Sequence, residues 1–316
     1  MRIPLEPKYL PDNALLITCS SHEDRCLALF RDQFGWLPHT TLLFHYDDCN
    51  PKREVNHNKI VHYLDGKSIV KELTFNESDA VKSFMGENGL QLKSILAEWS
   101  GRPVVFDISV FTKRHLLMTL SWIFDSSLDT QLSVVYSEPE DYDAEVDLPL
   151  SFGVASLQAV PGFSGLADCS RPLRMVVLLG FEGERALAAY ELLQPIHTVA
   201  LVGDPPYRAS WKGRAEKLNA ALLERLRPED VGSIDCVDPE KVAAELTLRL
   251  DTSGVLSDCV QVICPLGTKP QALGVFLYTR SATDSPAILY LSPLRHNELF
   301  YSHGIGPTWL IYQKAK

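Results

Sequence analysis

Residues 104–118 read "VVFDISVFTKRHLLM". A run of strand-forming apolar residues stops at Asp107, small and hydroxyl side chains follow, and Lys113 opens a strongly apolar segment. This order is that of a buried strand, a turn and a capped helix. Residues 260–274, "VQVICPLGTKPQALG", repeat the order, with Thr268 and Lys269 in the turn and Pro270 suited to a first helical turn. Two strand-turn-helix passages, each ending its turn in Thr-Lys, raise the question of whether the chain is written twice.

Working outward, further pairs fall in the same order. "ALLITCSSHEDRCLALF" (14–30) matches "MVVLLGFEGERALAAY" (175–190), each an apolar run, a small-residue turn, an acidic residue followed by Arg25 or Arg185, and an apolar helical pattern. "TTLLFHYDD" (40–48) matches "HTVALVGDP" (197–205), and "ELTFNESDAVKSF" (72–84) matches "SIDCVDPEKVAAEL" (233–246). "LSVVYSEP" (132–139) lies opposite "AILYLSP" (287–293), and "SFGVASLQAV" (151–160) opposite "SHGIGPTWLI" (302–311), both S-x-G. The separation shrinks steadily along the pairs Arg25/Arg185, Lys113/Lys269 and Gly153/Gly304, as an internal duplication with small deletions gives.

Within each half, near-continuous Val, Ile and Leu runs alternate with helical patterns, the signature of a parallel sheet covered on both faces. The expected fold is therefore α/β: two tandem Rossmann-like three-layer α/β/α units with mainly parallel sheets, related by duplication and pseudo-twofold packing. The stretch "PGFSGLADCSRPLR" (161–174) loses apolar periodicity and sets the expected division at 1–165 and 166–316. Asp238 is expected to cap a helix opened by Pro239. Residues 137–150 read as an exposed acidic loop, and "WKGRAEKLNAALLERLRPED" (211–230) as an amphipathic helix with a solvated face.

Composition excludes some classes. With 316 residues, 46% apolar and 22% charged, the chain is that of a globular protein with a sizeable core. A formal net charge of −10 argues against coating duplex nucleic acid. The seven cysteines are odd in number and form no CxxC pair, which points to a reducing, cytoplasmic setting and away from disulfides or a zinc site. No apolar run reaches signal-peptide or membrane-spanning character, so no membrane association is expected.

Function must then come from the turns. "SSHEDR", "DISVFTK", "GFEGER" and "PLGTK" all follow strands, so they share one edge of their sheets, where open α/β sheets bind ligands. Free amide groups at a helix start attract an anion, and Thr and Lys add charge-assisted bonds. For each turn alone, helix capping explains the same residues; the echo between halves favours a ligand. No GxxxxGK[ST] or GxGxxG occurs, which removes the usual support for ATPase and dinucleotide-binding readings. Asp47, Asp48, Cys49, His57 and His62 lack a second cluster at ligand spacing, and His296, Glu298 and His303 lack the HExxH arrangement. Neither a metal nor another cofactor is expected, and no GxSxG or Cys-His pattern supports hydrolysis. Arg25 and Arg185 read equally as local ion pairs and as pocket lining.

The segment Asp107-x-Ser109-x-x-x-Lys113, after a strand and before a helix, resembles the [DN]x[ST]xxx[RK] signature of CRISPR-associated Rossmann fold (CARF) domains, and "GTK" at 267–269 resembles the GGTK turn of some members. The resemblance implies a sensor of cyclic oligoadenylates with its ligand across two paired domains. It implies that Ser109, Lys113, Thr268 and Lys269 meet ligand phosphates or ribose, with Ser20, Ser21 and Gly180 as the opposite wall. With Arg25, Asp107, Thr112, Arg185 and Gly267, these are the candidate ligand-binding residues. The second copy departs from the signature, having Cys264 where the first has Asp107, and two Rossmann-like halves use the whole chain, leaving no visible effector domain. The expected function is a nucleotide-ligand sensor acting with a separate effector protein in prokaryotic antiviral defence, and not itself an enzyme. A ring-nuclease-like enzyme that processes the nucleotide and a non-catalytic scaffold subunit remain the alternatives.

Overall fold

The computed structural model describes residues 2–46, 50–75, 85–125, 130–142, 149–165, 170–250, 258–297 and 301–314. Asp47, Asp48, Cys49 and Glu298, named above, lie outside the described residues. In chain order the main elements are β1 (Leu15–Cys19), β2 (Thr40–Tyr46), α1 (Pro51–Leu64), β3 (Ile69–Phe75), α2 (Glu87–Glu98), β4 (Val104–Asp107), α3 (Lys113–Asp125) and β5 (Leu132–Ser137). They continue as β6 (Ser156–Ala159), β7 (Leu173–Leu179), α4 (Gly183–Leu193), β8 (His197–Gly203), α5 (Ala209–Leu218), α6 (Ala220–Leu223), β9 (Val231–Ile234) and α7 (Pro239–Leu250). The chain closes with β10 (Val260–Pro265), α8 (Lys269–Ser281), β11 (Ala287–Ser292) and β12 (Thr308–Lys314).

The chain forms two compact units, Met1–Asp143 with Ser302–Lys316, and Ala144–Tyr301. In the first, the sheet runs Ile3–Pro4, β12, β5, β4, β1, β2, β3; in the second it runs β9, β8, β7, β10, β11, β6. The strands from β1 to β5 pair in parallel, as do those from β7 to β11. β12 closes the first sheet antiparallel to β5, and β6 closes the second antiparallel to β11. Apart from the short edge strand Ile3–Pro4, the two orders are the same, which is the strongest structural sign of duplication. Each order reverses direction after its third parallel strand, which sets the fourth beside the first. Because parallel crossovers are right-handed, the connecting helices then cover both faces of the sheet.

The division at 1–165 and 166–316 does not describe these units. β6 belongs by sequence to the first half yet bonds to β11, while β12, at the end of the second half, bonds to β5. An alternating strand pattern specifies which face is buried, not which free sheet edge the strand joins.

Local sequence explains two further differences. After β1 the expected helix is only a 3₁₀ turn, Asp24–Leu27, and the chain reverses at Gly35, with φ 68°. After β7 the uninterrupted "ERALAAYELL" gives α4. Gly183 at its start has no room for a side chain: a Cβ would lie 1.7 Å from the Leu218 carbonyl oxygen. The expected single helix over 211–230 is interrupted at Asn219, whose Nδ2 donates to the oxygens of Ala215 (2.7 Å) and Gly180 (2.8 Å). Asp238 caps α7 as expected, accepting from the amides of Glu240 (3.0 Å) and Lys241 (3.4 Å).

The cores are built differently. In the first unit Phe44 stacks on Phe75, and Phe111 sets its edge against Phe44 and Phe106. In the second, Met175, Val177 and Leu179 on one face of β7 pack with Ala186 and Ala189 of α4. Those small side chains let the helix approach the sheet closely, and burying an aliphatic side chain fully contributes about 1.5–3 kcal/mol. Among the described residues, no helix is long and apolar enough to cross a membrane.

Candidate functional site

In the first unit β1 and β4 are neighbours, with Ile17 beside Phe106. The turns after them therefore leave the sheet side by side, where the strand order reverses and open α/β sheets accept ligands. Asp107 ends β4 fully buried, and its Oδ1 accepts from the amide of Ser109 (3.0 Å) and from the Ser109 hydroxyl. Thr18 Oγ1 donates to Oδ2 (3.2 Å). Burial pushes the Asp107 carboxyl upward, and the bonds from Ser109 and Thr18 oppose that shift. Ser109 is itself buried and also accepts from the Ser137 amide at 2.8 Å, so its hydroxyl shapes the turn from within.

Phe111 anchors the same turn in the aromatic core. Thr112 then heads α3: its hydroxyl accepts from the His115 amide (3.3 Å), while its own amide donates to the Tyr46 hydroxyl (3.4 Å). Lys113, the next residue, is half-buried. On the facing turn, Ser20 Oγ lies 3.0 Å from His45 Nδ1, and Ser21 Oγ accepts from the Glu23 amide at 3.2 Å. His45 Nε2 in turn faces Glu54 at 3.1 Å, and burial followed by neighbouring His57 holds this imidazole below its usual value.

The second unit builds the equivalent place with fewer residues, 266–268 against 108–112. Leu178 pairs with Pro265, and the following turns touch: a Cβ on Gly180 would lie 2.6 Å from the Leu266 carbonyl oxygen. Thr268 and Gln271 form a reciprocal capping box at the start of α8, with Gln271 N donating to Thr268 Oγ1 (3.2 Å) and Thr268 N to Gln271 Oε1 (2.8 Å). The Thr268 hydroxyl also donates to the Cys236 carbonyl oxygen at 2.7 Å. A Cβ at Gly267 would lie 1.8 Å from Gln271 Oε1, so any larger residue there would displace the side chain of the capping box. Lys269, half-buried, occupies the place that Lys113 has in the first unit.

Of the two readings of Arg25 and Arg185, the structure shows the local ion pair, made in each case with an acid two or three residues earlier. Arg25 bonds Glu23 at 2.7 Å, and Arg185 bonds Glu182 at 3.2 Å, all four groups being buried. The guanidinium of Arg25 stands 5.7 Å from the ring centre of Tyr136 and that of Arg185 5.6 Å from Tyr290. Each arginine also donates to the carbonyl after its tyrosine, Ser137 or Leu291. The S-x-G segments complete both networks. Ser302 Oγ donates to Glu23 and Ser151 Oγ to Glu182, while the amides of Gly304 and Gly153 bond Asp24 (3.3 Å) and Glu184 (2.9 Å). The glycines sit at φ 68° and 65°, where a side chain is disfavoured. The repeat of Ser, Gly and Tyr at matching places was the available signal for these residues.

Among the described residues, no group of three or more His, Cys, Asp or Glu side chains could hold a metal. The arrangement offers instead two helix N-termini, each headed by Thr-Lys beside a tight turn, which is suited to an anion.

No protein-family model matches the chain, and no curated protein matches it. Among solved structures, it is similar to a type III CRISPR defence DNA nuclease activated by cyclic oligoadenylate, at 11% identity and a TM-score of 0.53 over 88% of this chain. The chain spans 65% of that nuclease's length. A candidate universal stress protein from Pseudomonas aeruginosa UCBPP-PA14 (11% identity) and a functionally unknown protein from Pseudomonas aeruginosa PAO1 (10% identity) each align over 89% of this chain and 93% of theirs. Their TM-scores of 0.27 carry no argument. The likeness to the nuclease supports the fold alone: a mixed α/β chain with large, mainly parallel sheets.

Proposed function

We propose that this chain binds a nucleotide-derived anionic ligand at the carboxyl edges of its sheets and acts as a sensor rather than as a catalyst. The observation that carries the reading is the recurrence of one device: in both units a Thr-Lys pair opens the helix after the fourth parallel strand, beside the turn that follows the first. Lys113 and Lys269 supply charge to phosphate, and Thr112 and Thr268 fix the helix starts whose amides complete the cradle. Ser20, Ser21 and Gly180 form the facing wall, while Asp107, Ser109 and Gly267 set the turn geometry. Arg25 and Arg185 hold the wall in place through Glu23 and Glu182.

The resemblance to CARF domains and the fold likeness to a nuclease activated by cyclic oligoadenylate favour a cyclic oligonucleotide as ligand, with a separate effector carrying out the antiviral response. A thermal-shift screen of the purified chain against mononucleotides, linear oligoadenylates and cyclic oligoadenylates tests this. A ligand at 100 times its dissociation constant adds about 2.7 kcal/mol of stability, so binding gives a clear rise in Tm. Consumption of that ligand, followed by chromatography, would replace the sensor with a nucleotide-processing enzyme. The scaffold reading has one observation in its favour, since the hydroxyls of Ser109 and Thr268 are already bonded within the protein. Absence of any shift would favour it.

A further inference from the structure

We infer that the second unit carries a nucleobase-stacking platform contiguous with its Thr-Lys turn, and that among the described residues the first unit carries none. The inference rests on the anion-binding reading of that turn and adds the part of the ligand that the aromatic side chains would recognise.

Phe181 follows Gly180 in the turn after β7. Its ring lies edge-on to Trp211 at 6.1 Å, and Tyr207 meets Trp211 at 6.3 Å. Two guanidinium groups stand over these rings, Arg214 4.7 Å from the centre of Phe181 and Arg208 6.0 Å from that of Trp211. Trp211 is buried and serves as the base of the group, whereas Phe181 and Tyr207 are half-buried and Arg208 is exposed. Half-buried aromatic rings interleaved with arginines suit a flat, π-bearing anion, because bases stack on rings and guanidinium planes while phosphates pair with the charge.

One shared acceptor ties the platform to the cradle. The Tyr207 hydroxyl donates to the Cys236 carbonyl oxygen at 3.1 Å, and Thr268 Oγ1 donates to the same oxygen at 2.7 Å. Gly180, adjacent to Phe181, packs against Leu266 and Gly267 of the same turn. Phosphate at Thr268 would thus lie beside Tyr207, and the turn that carries Phe181 touches the same cradle.

In the first unit the comparable tyrosine is closed in. Tyr46 also reaches the Thr-Lys turn, accepting from the Thr112 amide and lying 3.0 Å from His115 Nδ1, but both it and His115 are buried. It stabilises the turn and offers no face to a ligand.

The test titrates the full chain calorimetrically with 5′-phosphorylated linear triadenylate and, separately, with inorganic tripolyphosphate. The wild type is expected to bind triadenylate more tightly. Phe181→Leu should weaken triadenylate about tenfold, as loss of one base stack does, and leave tripolyphosphate unchanged. Arg208→Gln, at an exposed position, should weaken triadenylate about threefold and keeps the test decisive if Phe181→Leu fails to fold. Equal triadenylate affinity in the wild type and the variants overturns the platform while the anion cradle stands. Equal weakening of both probes by Phe181→Leu, with no effect of Arg208→Gln, also overturns it. Failure of the wild type to bind either probe overturns the cradle and the platform together.

Discussion

The two units share a strand order, a Thr-Lys helix start and a buried Glu-Arg-Tyr-Ser network, yet they secure the turns at the carboxyl edges of their sheets by different means. The first uses a longer turn pinned by Asp107 and by Phe111 in an aromatic core. The second uses a short turn pinned by the Thr268/Gln271 capping box, with Cys264 and Pro265 ending its strand. What both retain is the placement of Thr and Lys; what differs is the means of holding them there. A fold that reaches one geometry by two packing solutions argues that the geometry itself matters.

The largest expected effect addresses the shared network. Arg25→Met and Arg185→Met each leave a glutamate buried without its counter-charge, which costs about 3–5 kcal/mol. Denaturant unfolding should show comparable losses for the two variants, since the partners match pair by pair. A loss below about 1 kcal/mol in only one variant would break the equivalence of the units.

A smaller effect distinguishes them. Burial raises the folded-state pKa of Asp107 above its ordinary value of 3.8, so the folded chain binds this proton more tightly than the unfolded chain does. Stability from this group is therefore fully present below pH 3.8 and is lost as pH rises through the folded value. Asp107→Asn, which keeps an oxygen acceptor for Ser109, should remove that slope and leave the variant at least as stable as the wild type at neutral pH. The second unit has no matching slope, because burial holds the Cys264 thiol at about 12 and hence neutral. Unfolding free energies of both proteins between acid and neutral pH check this; a variant less stable than the wild type at neutral pH would contradict it.

Much of this was legible in the sequence. Apolar runs such as "MVVLLG" and "VQVIC" mark buried parallel strands, and the Thr-Lys echo located both helix starts. The exchange of β6 and β12 was not legible, because their ladder partners lie far away in sequence and an antiparallel strand added beside the last parallel one suits either sheet. Which acid pairs with Arg25 is decided by local backbone. Glu23 has extended backbone, φ −79° and ψ 127°, and precedes the 3₁₀ turn, which lets its carboxylate rather than that of Asp24 meet Arg25. The apolar Val110 and Phe111 of the first turn gave no hint of function because their task is packing. The aromatic group around Trp211 was hidden by its amphipathic helix pattern, which reads as an outer face until Phe181 and Tyr207 join it from neighbouring turns.

The central claim is that both Thr-Lys turns bind phosphate, and the measurement that tests it most directly is calorimetric titration of triadenylate into Lys113→Ala and Lys269→Ala, each made singly. The account predicts weaker binding in both, with the larger loss in Lys269→Ala, whose unit also carries the stacking rings. Wild-type affinity in both variants would contradict it.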